Sequence, residues 1–437
     1  MAPLSSVLPS QSLSTPSQTS VALGLLAYDI AGGSAGAVLG TALAIKMIAY
    51  IGVAPVVGAF ADRLPRRAFL VTMDVLRAAV AICLPFVSEI WQIYVLIFVL
   101  QSASAAFTPT FQATIPDVLP EERDYTKALA LSRLAYDMES LTSPMLAAAL
   151  LTVINFHWLF SGTAVGFVGS AILVLSTTLP RALNRKEVRT GIYAKTTRGM
   201  RIYLKTPRLR GLLALTFASA AASSMVIVNT VVIVRDQLGL GQRDVAFTLA
   251  AFGGGSILAA LGLPRILDRI SDRSIMITAA AVLAWGLAIM GALTHWFGSS
   301  SNYWSILLAG WFVLGMAYSM SVTPSGRLLK RSANAEDRPA LFAAQFALSH
   351  GSWLICYPLA GQLGARENQV MTFIAMSIIA HFGVIAAYLL WPSADPDELP
   401  HDHVDLDADH PHLRDKHGQS AGHAYVIDDL HQHWPRS

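Results

Sequence analysis

Lys46, Arg133, Asp137, Glu139, Gln345 and His350 all fall inside long apolar runs of the sequence. A charge at hydrocarbon depth is expensive, so ionisable groups there are functional candidates by default. Arg133 and Asp137 are four residues apart, and Asp74 and Arg77 three apart, spacings that pair opposite charges on one helix face. For both pairs, a structural ion pair near a helix end is the alternative to a functional role. Glu139 stands two residues beyond Asp137, roughly 200° around a helix, so the two carboxylates cannot face one cavity. Glu139 and Lys46 have no local partner of opposite charge on their own helices, which points to lining a cavity or pairing across it. His350 ionises near working pH and reads as a proton-transferring group; the alternative is a hydrogen bond to a neighbouring helix.

A second concentration of chemistry lies at the end of the chain. Eight of the twelve histidines follow residue 400, with ten carboxylates between Asp395 and Asp429. His401, His403, His410, His412, His423, His431 and His433 include three His-x-His pairs, and imidazoles interleaved with carboxylates suit nickel, cobalt, zinc or copper. No closed four-ligand set is specified, so such a site would be a buffer or sensor. The other reading is a solvated acidic tail. The stretch Ala424 to Trp434 is expected to form a short helix with Ile427, Leu430 and Trp434 on one side, able to dock back on the protein. Apart from the tail, no cofactor is expected.

The elements that must carry these groups follow from composition. The chain is 54% hydrophobic and only 14% charged, with mean hydropathy +0.51. Soluble domains are roughly 25% charged, so this is an integral membrane protein. Its 437 residues accommodate about twelve spans. Eleven are expected near 36–61, 68–87, 90–107, 130–152, 157–179, 211–234, 245–264, 274–294, 303–322, 340–363 and 369–391. Before them, residues 1–20 are rich in Ser, Thr, Pro and Gln and carry no charge. They read as a disordered N-terminus, with helix starting near Thr19. The run Val21 to Tyr28 is too short to cross a bilayer, so the first span looks truncated. The connections 62–67, 108–129, 180–210, 265–273 and 323–339 hold 22 Lys and Arg, against three on the opposite side. That asymmetry expects the first set, and the C-terminus, to be cytoplasmic. The 180–210 connection has ten basic residues and one acid and is expected to carry an amphipathic helix against anionic headgroups. Nucleic acid is not an expected partner. No G-x-x-x-x-G-K-[ST] occurs, which argues against nucleotide hydrolysis. Cys83 and Cys356 lie in apolar runs and read as small core residues.

Between the second and third spans runs Gly58-Ala-Phe-Ala-Asp62-Arg63-Leu-Pro-Arg66-Arg67. The pattern G-x-x-x-D-R-x-x-R-R resembles the loop between helices 2 and 3 of the major facilitator superfamily, with Pro65 where the family usually has Gly. The resemblance implies that Asp62 faces a helix N-terminus in the other half, with Arg63, Arg66 and Arg67 completing a charge relay that latches one conformation. The alternative is a loop that only orients its helices. Asp62-Arg63 recurs as Asp268-Arg269, with Arg67 matched by Arg273, at an offset of 206; Thr108-Pro109 and Glu122-Arg123 recur as Thr323-Pro324 and Asp337-Arg338 at 215. Two parallel repeats are the architecture of that superfamily.

The expected fold is therefore all-α, two six-helix halves at 21–179 and 211–391, joined by the basic linker 180–210 and followed by the His/Asp-rich tail 392–437. Ser143-Pro144 partly matches the Gly-Pro signature of superfamily exporters, and the whole resembles drug-efflux and nickel-resistance exporters with a histidine-rich tail. What this implies is no enzyme but a monomeric secondary transporter in the cytoplasmic membrane, exporting a small molecule against protons by alternating access. Export of a divalent metal and a transport-inactive membrane sensor are the alternatives. The fourth span lacks the arginine that many drug:proton antiporters place there.

Overall fold

In hydrocarbon every backbone N–H and C=O must find its partner within the protein, and a run of apolar residues achieves this as a helix. The computed structural model describes residues 16–60, 65–118, 146–147, 149–176, 192–334, 337–395, 398–399, 423–428, 430–431 and 434. In the first half the helices are α1 (Pro16–Ala31), α2 (Ala35–Phe60), α3 (Arg66–Cys83), α4 (Ile90–Val118) and α5 (His157–Ser176). The linker carries α6 (Ile192–Lys205). The second half holds α7 (Pro207–Val232), α8 (Gln242–Leu267), α9 (Asp272–Phe297), α10 (Tyr303–Val322), the short α11 (Ser325–Arg331), α12 (Arg338–Arg366) and α13 (Gln369–Leu390). Residues 146–147 and 149–150, from the expected fifth span, are helical; the rest of 130–145 lies outside the described residues.

Helix packing repeats between the halves. In the first, α2 packs on α4 and α3 on α5; in the second, α8 packs on α10 and α9 on α13. The halves meet where α2 lies along α12 and α1 approaches α7. The core is continuous across this junction, from Leu26 and Leu39 to Val228 and Tyr357.

The start of the chain departs from expectation. Helix begins at Pro16, and Pro16–Ala31 is 16 residues, about 24 Å long. Proline is well suited to a helix's first turn, where its missing N–H costs nothing. Pro16 to Ser20 are therefore helical, not part of a disordered N-terminus. Residues 21–27 are all buried, so packing supplies what local hydropathy lacks. A 3-10 turn, Gly32–Ser34, with Gly32 at φ 54°, leads directly into α2. The region of the first span is thus a formed helix seated in the core.

Nine described helical segments are long and apolar enough to cross a membrane, with Val21–Val53 counted as one. α12 is 29 residues long yet is not among them. It spends apolar positions on Gln345, His350 and Gln362 and carries Pro358 within its length. Beyond α13 two short strands, β1 (Glu398–Leu399) and β2 (His423–Ala424), pair antiparallel.

Candidate functional site

The junction between α2 and α12 is built from glycine. A Cβ on Gly40 would overlap the Tyr357 carbonyl oxygen, and one on Gly361 would overlap that of Gly36. Gly36 and Gly40 form a G-x-x-x-G pair, the spacing that lets two helix backbones touch. The helices run antiparallel, with Gly36 beside Gly361, Gly40 beside Tyr357, and Tyr50 beside Phe346 and His350. The seam is therefore about 21 Å long. At its glycine end Asn229 of α7 is fully buried, and its Nδ2 donates to the Ala360 carbonyl at 3.1 Å. Asn229 Oδ1, packed against Gly36 and Gly364, accepts no hydrogen bond among the described residues. An orphaned buried acceptor costs about 1–3 kcal/mol, so the closed seam carries a penalty that water would remove if it parted. Beside it, Arg235 stacks on Tyr28 at 5.1 Å, linking the turn after α7 to α1.

Further along the seam lies the cluster holding three of the sequence candidates. His350 Nδ1 is 2.7 Å from the Phe346 carbonyl. Its ring stacks on Tyr50, with centroids 5.5 Å apart and planes 19° apart, and sits 3.9 Å from the Phe346 ring. Lys46, one helical turn before Tyr50, is within electrostatic reach of His350. Gln345 accepts a hydrogen bond from Tyr203 of the linker helix. Burial pushes the Tyr203 phenol above its ordinary range, keeping it a donor. Trp353 Nε1 donates to Ser223 of α7 at 3.0 Å. The site therefore joins aromatic faces, a lysine and a histidine across the two halves. Arg133, Asp137, Glu139 and the Ser143-Pro144 pair lie outside the described residues.

Asp74 and Arg77 do pair, as their spacing predicts. Both are buried; Ser170 donates to Asp74 Oδ2 at 2.7 Å, and the guanidinium lies 4.2 Å from the Phe107 ring and 4.6 Å from that of Phe167. Hydrogen bonds and aromatic faces replace much of the water that both charges lose, while the buried Arg77 Nε has no hydrogen-bond partner among the described residues.

On the face bearing the arginine-rich connections, hereafter the basic face, Asp62 and Arg63 lie outside the described residues. Gly58 is in the last turns of α2 and Arg66 begins α3. Arg67 donates to the Leu175 carbonyl at the end of α5. Its counterpart Arg273 donates to the carbonyls of Trp391 at 2.9 Å and Tyr388 at 3.4 Å, at the end of α13. Each arginine thus caps the final turn of its half's last helix, where cations are favoured. Asp268 and Arg269 are exposed after α8, while the neighbouring Asp272 pairs with Arg327 at 3.3 Å. The linker helix is clamped onto α12 rather than only lying on headgroups. Arg198 Nε donates to Asp337 Oδ1 at 2.5 Å, Tyr203 reaches Gln345, and a Cβ on Gly199 would overlap the Ala340 carbonyl.

Of the tail histidines, His401, His403, His410, His412 and His433 lie outside the described residues. His423 is in β2. His431 is buried, with Nδ1 2.9 Å from Asp428 Oδ1. Burial alone would raise the Asp428 carboxyl, but hydrogen bonds from the His431 ring and the N–H groups of His431 and Leu430 bring it down to about 2. Among the described residues no three His, Cys, Asp or Glu side chains gather as metal ligands. Among the described residues of Ala424 to Trp434, expected as a short helix, none is helical. Ala424 is in β2 and Asp428 and Leu430 are bends, with Ile427 at 1% exposure and Leu430 at 43%. Strand pairing and contacts from the body of the protein outweigh the helical period.

Sequence reasoning missed three features. The Gly36-x-x-x-Gly40 signal was present in the sequence, but its partner lies more than 300 residues away. Tyr50 and Phe346 read as ordinary apolar positions. The role of Arg208 and Asp395 rests on contacts 187 residues apart.

Comparison with known proteins adds the following. The family model described as Major Facilitator Superfamily matches residues 12–290 and 212–417. An MFS-type transporter, YfiS, of Bacillus subtilis (strain 168) is 25% identical over 299 residues, covering 66% of this chain and 69% of its own. Macrolide efflux protein A of Enterococcus faecalis is 26% identical over 157 residues, 34% of this chain and 48% of its own. Among solved structures, the nucleoside transporter NupG superposes with TM-score 0.66 at 14% identity, covering 89% of this chain and 98% of its own. A bacterial homologue of the human lysosomal transporter Spinster, in an inward-facing unoccupied conformation, gives 0.65 at 12% identity over 90% and 98%. At these identities the structures show a shared fold.

Proposed function

The chain belongs to the Major Facilitator Superfamily, and from that premise we propose that it exports a small organic molecule by alternating access, driven by proton exchange. The basic face is cytoplasmic, in the cytoplasmic membrane, and the glycine seam is the gate toward the other side. The observation that carries this reading is the seam itself. Two helix backbones touch through glycines beside a buried amide whose oxygen has no donor among the described residues. Such a surface packs well when closed and regains hydration when parted, as a gate with two states requires. Tyr50, Phe346, His350 and Lys46 lie along the same seam, where movement of the halves would alter their surroundings. Aromatic faces suit an organic substrate, and an imidazole suits proton exchange. The similarity to macrolide efflux proteins supports export.

The test is transport in proteoliposomes with an imposed pH gradient, using a labelled macrolide and a lipophilic dye, with nickel and zinc as separate arms. Gradient-dependent movement of an organic compound, diminished by His350→Ala, is expected. Movement of metal alone would favour the metal exporter. A folded protein that moves nothing would point to the sensor.

A further inference from the structure

The family match ends at residue 417, and buried residues of the tail lie beyond it. Tyr425, Val426 and Ile427 are all buried, and Trp434 packs on the core. The groove they occupy is built around Arg208, in the first turn of α7. Arg208 Nη2 donates to the Tyr425 carbonyl at 3.3 Å, its guanidinium lies 5.1 Å from the Trp434 ring, and Nη1 donates to Asp395 Oδ1 at 3.2 Å. Asp395 also accepts from Arg331 and from the Trp391 indole at 3.0 Å. Across the segment, Asn334 donates to Asp428 Oδ2 at 3.4 Å. Tyr425 and Trp434 meet edge to face, 5.3 Å apart.

The fit is specific on both sides. A buried guanidinium gains from each partner that replaces lost water, and the tail brings Arg208 a carbonyl and an aromatic face. The tail in turn shapes itself: Asp428 accepts from the N–H groups of Leu430 and His431, and β2 pairs with β1. The location carries the consequence. Leu209 and Arg210 donate to the Thr206 carbonyl, so Arg208 sits in the corner where α6 passes into α7.

We propose that residues 423–434 are a cis-acting peptide ligand for a groove on the basic face of the second half, and that their docking clasps the corner between the linker helix and α7. The groove selects an extended segment with two aromatic side chains flanking a buried isoleucine, and the chain's own tail is that segment. The area that must be covered includes the pocket of Ile427, so one charge there undoes the clasp without altering any transmembrane helix.

The test uses the full chain in nanodiscs and amide hydrogen exchange, which is independent of any transported compound. In the wild type, amides of 425–427 should exchange at least tenfold more slowly than in a free synthetic peptide of residues 423–434. Ile427→Asp should accelerate exchange both there and at 206–210 by tenfold or more. Adding the synthetic wild-type peptide to the Ile427→Asp protein at several hundred micromolar should restore protection at 206–210, and a Trp434→Ala peptide should not. Tail amides in the wild type exchanging as fast as the free peptide would overturn the proposal. So would unchanged exchange at 206–210 in Ile427→Asp, or failure of the wild-type peptide to restore it.

Discussion

Replacing Gly40 by valine should part the seam between the two halves. The new Cβ would land on the Tyr357 carbonyl oxygen and come within 3.3 Å of the Gly361 Cα, both backbone atoms that no side-chain rotation can move. Overpacking of this kind costs about 1–3 kcal/mol. The cost falls only on the closed seam, since in a parted state the valine meets lipid or water. At 1.4 kcal/mol per tenfold, the equilibrium shifts by about 5- to 140-fold toward the open form. A suitable reporter is Ala37→Cys, next to Gly361, in a protein whose Cys83 and Cys356 are serine. Its rate of labelling by a water-soluble maleimide should rise by that factor in Gly40→Val and in Gly361→Val. Gly52→Val is the control, because a Cβ there meets nothing within 4 Å on the same helix. If Gly40→Val labels no faster than Gly52→Val, with both proteins folded, the seam is not the moving surface.

Four further outcomes are expected. Removing one partner of the buried pair, as in Asp74→Ala, strands Arg77 between two phenylalanines and should cost about 3–5 kcal/mol; Asp74→Leu with Arg77→Met should recover much of the lost thermal stability. The Asp428 carboxyl, held at about 2 against an ordinary 3.8, contributes stability that is whole above the unfolded value and lost as pH falls through the folded one. Tail protection by hydrogen exchange should therefore not weaken on this account between pH 7 and pH 5, and should fail between about pH 4 and pH 2. Asp62→Asn should slow transport at normal expression if the loop is a latch, and wild-type rates in that mutant would leave it only an orienting loop. Calorimetry of the isolated tail from His401 should register nickel or zinc at neutral pH and lose it below about pH 6, as imidazoles protonate; absence of heat at micromolar metal leaves an acidic extension.

The helices were legible because hydrocarbon surroundings constrain composition directly, and the Asp74–Arg77 pair because both partners share one helix. The first helix, expected to be short, is 16 residues long, and its start at Pro16 is not marked by hydropathy. Pro16 can start a helix, and the buried run from Val21 needs only contact with its neighbours, not bilayer length. The linker helix was readable from its basic, amphipathic pattern, but its clamp on α12 was not, since Tyr203 and Gln345 are 142 residues apart. The tail shows the opposite failure. A helical period is present over Ile427, Leu430 and Trp434, yet one arginine from α7 and a two-residue strand pair decide the local conformation.

The repeated arginines bear on which parts of the molecule move. Arg67 and Arg273 each hold the start of one helix to the end of another within the same half, so each half is braced internally by the same device. The second half adds the Asp272–Arg327 pair and the carboxylate of Asp395 between Arg208 and Arg331. Through Arg198–Asp337 and Gly199 it also holds the linker helix. α6 therefore travels with the second half, and the tail clasp at Arg208 fastens its far end. Among the described residues, the halves meet without such braces at the glycine contact of α2 with α12 and at the contacts of α1 and α2 with α7. Those surfaces hold the Asn229 oxygen, which accepts no hydrogen bond among the described residues, and the stacking contacts of Arg235 on Tyr28 and Tyr50 on His350. Among the described residues the charge network lies within the halves, and the α2–α12 junction is held by glycine packing and by the Tyr50 contacts with Phe346 and His350.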